Sequence, residues 1–233
     1  MPDPGPGEFL SRGYQGAVFL SGDGADRRVI KRAMGGRLAR RVRVAMLRRE
    51  QAAYARVTGI PGIPRCYGLQ DDGSLVLEYL AGEVYRETVP VLRDHRERFF
   101  RELRDQILAI HAAGVAHADL KRRGNILISP GGDPILLDFG SAVLRNPGGG
   151  WWNRFLFHQA CRMDFNAWVK LKYRRQYDQL APEDRQYFQP TALEGVARIV
   201  RRVWRKLSGR HLRKAWRQKR RDRRQRAAER PAP

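Results

Sequence analysis

The chain is short of thiols, of lysine and, over long stretches, of acid. Its 233 residues include 2 cysteines, Cys66 and Cys161, too few for a disulfide framework and too far apart for a paired zinc spacing, so both read as packing residues. No run of about 18 apolar residues occurs, which leaves no candidate for a membrane-spanning helix. Met1 to Gly7 are Pro, Gly and acid rather than a basic stretch followed by an apolar one. No secretory leader is read there, and the expected location is the cytoplasm, with peripheral attachment to the inner membrane as an option.

What is present is positive charge on a chain able to fold. Hydrophobic residues make up 42% of the sequence, enough for a core. Against 24 acidic residues stand 46 basic ones, a net of +22, which points to a polyanionic partner such as nucleic acid, an anionic membrane or a phosphorylated glycan. Nearly all of the basic residues are Arg, which a GC-rich genome would also produce. The distribution is uneven, however: Arg198 to Arg230 hold 16 basic and 2 acidic residues.

The stretch with most chemistry runs from His117 to Gly140. Asp119 and Asp138 flank Asn125, and Gly131-Gly132-Asp133 separates two short branched apolar runs, the pattern of a β-hairpin. Such a hairpin brings the loop before its first strand and the Asp after its second to one edge. A base and metal ligands would then share a site, the grouping phosphoryl transfer requires.

Upstream, Ser11-Arg-Gly13-Tyr-Gln-Gly16-Ala-Val18 reads as a glycine-bearing hairpin turn whose small residues let backbone N–H groups approach a phosphate. Arg28-Val-Ile-Lys31 follows as a strand ending in one of few lysines. Between Arg32 and Gln70 the sole acid is Glu50, on a segment where Met46, Leu47, Tyr54 and Val57 recur at helical spacing. Taken alone, a lone Glu among arginines is what a surface ion pair looks like. Gly59 to Pro64 ends that helix, and strands are expected on both sides of Asp71-Asp72-Gly73.

These residues together resemble the protein kinases: a Gly-rich loop with Ser11 in place of its first glycine, a strand lysine, a catalytic loop and an Asp-Phe-Gly motif. The resemblance covers about Ser11 to Gly140 and implies an α+β, two-lobed protein-kinase-like fold with a shortened helical lobe. Residues 8–80 would be a small β-rich ATP-binding lobe, 81–207 a helical catalytic lobe and 208–233 a basic tail. It implies ATP and Mg²⁺ as cofactors. In that likeness Asp119 is the base, Lys121 meets the transferred phosphate, Lys31 holds the α/β-phosphates, Glu50 orients Lys31, and Asn125 and Asp138 bind the metal. Ser11, Gly13, Gly16, Val18 and Leu77 would line the nucleotide, Glu78 to Leu80 would be the hinge beside adenine, and Glu83 would meet the ribose. Two departures stand out. Ala118 replaces the usual Arg, and Asn125 lies one residue further from Asp119 than the family pattern.

A helix from Phe99 to Gly114 is expected to bury Phe99, Leu103, Ile107, Leu108 and Ile110 and to deliver the catalytic loop. His111 reads as a packing residue and His117 as a prop for the loop. Beyond Gly140 the likeness to protein kinases fades. Ser141 is followed by no Ser or Thr until Thr191, where an activating phosphosite would stand. Trp151 to Phe157 read as buried packing, with an aromatic lip at a membrane as the other option. Asp164, at the start of a patterned helix, reads either as an N-cap or as a hydrogen-bond acceptor for the loop. Ala181-Pro-Glu183 matches a further kinase motif by coincidence. Val196, Ile199, Val200, Val203, Trp204 and Leu207 form one face of a last helix, and from Ser208 on a solvated helix or disordered basic tail is expected.

The short region after Gly140, Ala118 and the basic end resemble the bacterial lipopolysaccharide-core kinases, which implies transfer of the γ-phosphate to a sugar hydroxyl of an anionic glycolipid. An atypical, RIO-like bacterial protein serine/threonine kinase is the alternative, and a weakly active kinase-like module binding nucleic acid through its tail is a second. Oligomeric state is not readable.

Overall fold

In the computed structural model, residues 8–12 and 17–189 are described; Gly13 and Gly16, the expected last helix at 196–207 and the basic stretch from Ser208 lie outside them. All described residues fall in one of the chain's two units, Met1–Gln189. They form a mixed α/β structure with antiparallel sheets and three α-helices, compatible with a kinase-like α+β fold.

Strands β1 (Glu8–Arg12), β2 (Ala17–Ser21) and β3 (Arg28–Arg32) lead into helix α1 (Arg37–Arg56), and β4 (Cys66–Leu69) and β5 (Leu75–Glu78) complete a five-stranded antiparallel sheet of order β1-β2-β3-β5-β4. The Asp71–Gly73 turn closes β4 on β5, as the sequence indicates. Leu75, Val76 and Leu77 are all buried. A strand buried on both faces shows no alternation, which is why β5 reads as a continuous apolar run. Helix α1 is longer than its apolar spacing suggests. Leu47, Glu50, Ala53 and Tyr54 form its buried stripe, whereas Leu38 and Val42 in the first turns are exposed.

After α1 the chain turns at Gly59 to Pro64 against the second half of the molecule. Gly62 has φ +75°, and a Cβ there would lie 2.3 Å from Gln106 Nε2 and 2.4 Å from the Pro134 carbonyl oxygen, so no larger residue fits. Gln106 Nε2 donates to the carbonyls of Pro61 and Pro134 at 3.0 and 2.8 Å, tying this turn to α2 and the later hairpin.

Strand β6 (Glu83–Val84) precedes α2 (Pro90–Ala112), which opens with Pro in its first turn, where a missing N–H costs nothing. Phe99, Leu103, Gln106, Ile107 and Ile110 are buried, the i, i+4, i+7, i+8, i+11 stripe of a helix on a core. Leu108 is not part of it: it is 42% exposed, because one residue past Ile107 turns the side chain about 100° away. Phe100 fills the core instead, stacked edge-on against Phe99 and Tyr85.

Strand β7 (Val115–Ala116) pairs with β10 (Val143–Leu144), and β8 (Ile126–Ile128) lies between β6 and β9 (Pro134–Leu136). Helix α3 (Trp151–Lys172) packs on α2, with Trp168 Nε1 donating to the Phe100 carbonyl at 2.8 Å. Its first two turns overturn the packing reading of Trp151 to Phe157. Trp151, Trp152, Phe155 and Leu156 are exposed, and unbroken burial along the helix begins only further on, at Asn166.

Candidate active site

The β8–β9 hairpin forms as the sequence pattern indicates. Ser129 accepts on its Oγ from Asp133 N and donates at 3.1 Å to the Asp133 carboxylate, so the turn is closed by its own side chains. Ile126 pairs with Leu136, and Leu137 N donates to the Asn125 carbonyl at 2.9 Å. Asn125 and Asp138 therefore leave the hairpin at the same end.

The loop ends in a three-residue 3₁₀ turn, Arg123–Asn125. Asn125 is buried, and its Nδ2 donates to the Asp119 carbonyl at 3.1 Å, which leaves Oδ1 as the acceptor end of the amide. Asp119, also mostly buried, has Lys121 Nζ at 3.8 Å from one carboxylate oxygen and Arg122 Nε at 3.0 Å from the other. The Arg122 contact was absent from the sequence reading. Its i, i+3 spacing from Asp119 is the signal that could have found it.

Asp138 sits at φ 65°, ψ 72°, in the left-handed region that a non-glycine residue adopts at a cost. Three contacts hold it there. Its N–H donates to the Tyr54 hydroxyl at 3.2 Å, its carboxylate receives Lys31 Nζ at 2.8 Å, and the preceding Leu137 carbonyl accepts from His117 Nε2 at 2.8 Å. Tyr54, an apolar spacing residue in the sequence reading, thus reaches the site with its hydroxyl.

Lys31 Nζ bridges Asp138 and Glu50, the latter at 2.5 Å. Glu50 is fully buried and one of its oxygens has no other partner among the described residues. Burial pushes the Glu50 carboxyl up, and the Lys31 ammonium pulls it back. Burial alone would lower Lys31, but Glu50 and Asp138 override it and hold the ammonium above the usual lysine range. For Asp138 burial works upward, and the adjacent ammonium wins, leaving its carboxyl below the usual range. Both charged states, Lys31⁺ and Asp138⁻, are therefore secured at neutral pH.

The loop itself is fixed by α3. Asp164 has no exposed surface; its carboxylate accepts from His117 N at 2.7 Å and Ala118 N at 2.8 Å, with His111 Nε2 at 3.0 Å. It lies well inside α3, so the N-cap reading falls and the loop-acceptor reading stands. Ala118 is itself left-handed, φ 62°, and these bonds hold it. His117 has Nδ1 facing the Asp119 N–H at 3.4 Å, which fits the tautomer with its proton on Nε2. Its ring lies 4.9 Å from that of Phe139. His117 is a prop, and His111 is both packed and hydrogen-bonded.

The residues assigned to the nucleotide are more dispersed. Ser11 pairs with Val18 across the β1–β2 ladder. Leu77 is buried next to Glu78, whose carboxylate accepts from Arg65 N at 2.9 Å. Leu80 lines a cavity of about 620 Å³ with Pro61, Gln106, Asp133 and Pro134, and Lys31 and Asp138 are not among its walls. Glu83 is exposed and opposite Ile128, at the far end of the ladder from Asn125. Of Ala181-Pro-Glu183, the last two residues open a 3₁₀ segment, Pro182–Tyr187, and among the described residues none of the three makes a hydrogen bond or ion pair with the site residues above.

A cation site made wholly by protein would need more ligands than exist here: no group of three His, Cys, Asp or Glu side chains converges among the described residues. The donors at hand, one partly exposed carboxylate and one amide oxygen, are hard oxygen ligands. They fit Mg²⁺, which takes one or two protein oxygens and fills its shell with water and phosphate.

No protein-family model matches the chain. A stretch of 73 residues is 37% identical to a protein of Oryza sativa subsp. japonica named as a cyclin-dependent kinase, F-2; the match takes in 28% of this chain and 22% of that protein's length. The chain thus matches about a fifth of that relative. The likeness supports a relationship to protein kinases at the level of a phosphotransferase.

Proposed function

We propose that the protein is an ATP-dependent kinase that moves the γ-phosphate to a hydroxyl, and that the acceptor is a sugar of a lipopolysaccharide-type glycolipid at the inner membrane face. The observation that carries the first part is the Lys31 ammonium held between Glu50 and Asp138, 107 residues apart in sequence from the latter, at the end of the hairpin that also places Asn125. A half-buried lysine fixed by two carboxylates has little freedom to lose on meeting a phosphate chain. Asn125 and Asp138 would hold Mg²⁺, whose charge would neutralise that of the phosphates. Asp119 would accept the hydroxyl proton, and it must exchange its contact with Arg122 to do so. In this reading residues 8–80 and 81–207 are the two lobes and 208–233 a basic tail.

The glycolipid part rests on how little chain lies between Gly140 and α3. Ten residues separate it from α3, and they are used by β10 and a turn, so a small acceptor has less to displace than a peptide would. The test is ATP turnover with core glycolipid, with generic protein substrates and with no acceptor. Phosphate appearing on the glycolipid is the expected result. Incorporation into protein alone would favour the protein-kinase alternative, and no ATP consumption under any condition would overturn the kinase reading.

A further inference from the structure

The first two turns of α3 carry an apolar surface that nothing in the described residues covers. Trp151, Trp152, Phe155 and Leu156 are 59, 60, 42 and 53% exposed. The two indoles stack with ring centres 3.8 Å apart, and Phe155 meets Trp152 edge-on at 6.2 Å. The surface is presented firmly: Asn153 Nδ2 donates to the Leu144 carbonyl at 3.0 Å and its Oδ1 accepts from Asn146 N at 2.8 Å, pinning the helix end to β10. Four large apolar side chains on two turns are more than solvent contact alone favours, and such a patch marks an interaction surface.

We propose that this helix end is a membrane-docking surface for a bilayer bearing anionic headgroups. Two features choose that occupant. Indoles prefer the zone between headgroups and acyl chains, where an apolar body and a polar N–H are both satisfied. The segment that carries them has charge of one sign. From Phe139 to Met163 there is no Asp or Glu, while Arg145, Arg154, His158 and Arg162 are present. Arg154 is exposed within the patch, and the helix N-terminus there has no acidic residue in its first turn and no side-chain cap. Its partial positive charge suits phosphate oxygens. A second copy of the chain is the poorer partner. Two-fold docking through this patch would bring Arg154 and its symmetry mate together, and like charges at an interface are costly. The inference concerns binding and does not rest on the phosphotransfer chemistry.

The experiment uses the full chain and unilamellar vesicles of phosphatidylcholine, with or without phosphatidylglycerol. Wild-type protein is expected to sediment with the anionic vesicles and to show tryptophan quenching by bromine-labelled lipid. In Trp151→Ser/Trp152→Ser, partition should fall at least about tenfold, and the quenching should decrease, with the thermal midpoint unchanged because both side chains start exposed. Arg154→Glu, which leaves the apolar side chains in place, should weaken binding to the anionic vesicles and not to phosphatidylcholine alone. The proposal is overturned if the double variant binds as wild type does, if wild type ignores both vesicles, or if light scattering shows a wild-type dimer that the variant dissolves. Loss of ATP turnover in an Asp138 variant that still binds vesicles would bear on the kinase reading alone.

Discussion

Asp138 concentrates the functional argument in one side chain, because it is held in a left-handed backbone by Tyr54 and His117 while its carboxylate is left for Lys31. Replacing it with Asn keeps the shape and removes the charge. Turnover with MgATP should then fall at least about a hundredfold. Stability should change by no more than about 1 kcal/mol, because the side chain is 42% exposed and Lys31 keeps Glu50. Steady-state kinetics beside a urea titration decides it, and near wild-type turnover in the folded variant would sink the assignment. The sign of the pH effect is also fixed. The carboxyl titrates below its ordinary range, so its contribution to stability is complete above the unfolded value of about 4 and disappears as the pH falls through the depressed native value. The variant's stability should therefore depend less on pH below about 4 than that of wild type. Cys161 makes a separate case. Burial, then the Asp164 carboxylate, push its thiol up to about 12. At pH 8 it should alkylate at least about a hundredfold more slowly in the native protein than after denaturation, as read by mass spectrometry.

At the scale of elements, one helix sets the loop that carries Asp119. Asp164 of α3 satisfies two backbone N–H groups of that loop and His111 as well. Asp164→Ala leaves these donors buried and unpaired, so it should destabilise the protein by about 3 kcal/mol and lower turnover beyond what the lost stability explains. A denaturation midpoint equal to that of wild type would show that the contact is dispensable. The hairpin that holds Asn125 and Asp138 was legible because Gly131-Gly132-Asp133 specifies a turn and the flanking β-branched residues specify strands. The Lys31–Glu50 contact was legible because the kinase resemblance asks for an acid after the strand lysine and Glu50 is the sole acid in its segment. Other features were hidden for identifiable reasons. Leu108 follows Ile107, and two adjacent apolar residues do not say which one faces in. Trp151 and Trp152 read as core because aromatic content alone does not reveal that the first turns of α3 leave these side chains exposed. The link from Arg122 to Asp119 was signalled only by its i, i+3 spacing, and the reach of the Tyr54 hydroxyl to Asp138 depends on geometry that only the fold provides.

Over the whole molecule the charge is divided. Ser208 to Pro233, outside the described residues, hold 11 basic and 2 acidic residues, a net of +9, whereas the α3 surface combines apolar bulk with a few positive charges. The two should bind an anionic bilayer by different physics. Charge attraction contributes about 1 kcal/mol per basic residue near such a surface and is screened once the Debye length falls to about 3 Å at 1 M salt. Burial of indole and phenyl rings is not screened. Deleting Ser208 to Pro233 should therefore leave a folded protein whose binding to phosphatidylglycerol vesicles at low salt is at least about a hundredfold weaker, with a remainder that persists at high salt and depends on Trp151 and Trp152. If instead the basic stretch serves nucleic acid, counterion release governs it, and the full chain would retain RNA with a steep salt dependence while ignoring vesicles. Vesicle and RNA retention, each measured against salt for the full and the shortened chain, separates these cases. A shortened chain that sediments with vesicles as the full chain does, at every salt concentration, would remove the basic stretch from membrane binding and leave it to the α3 surface.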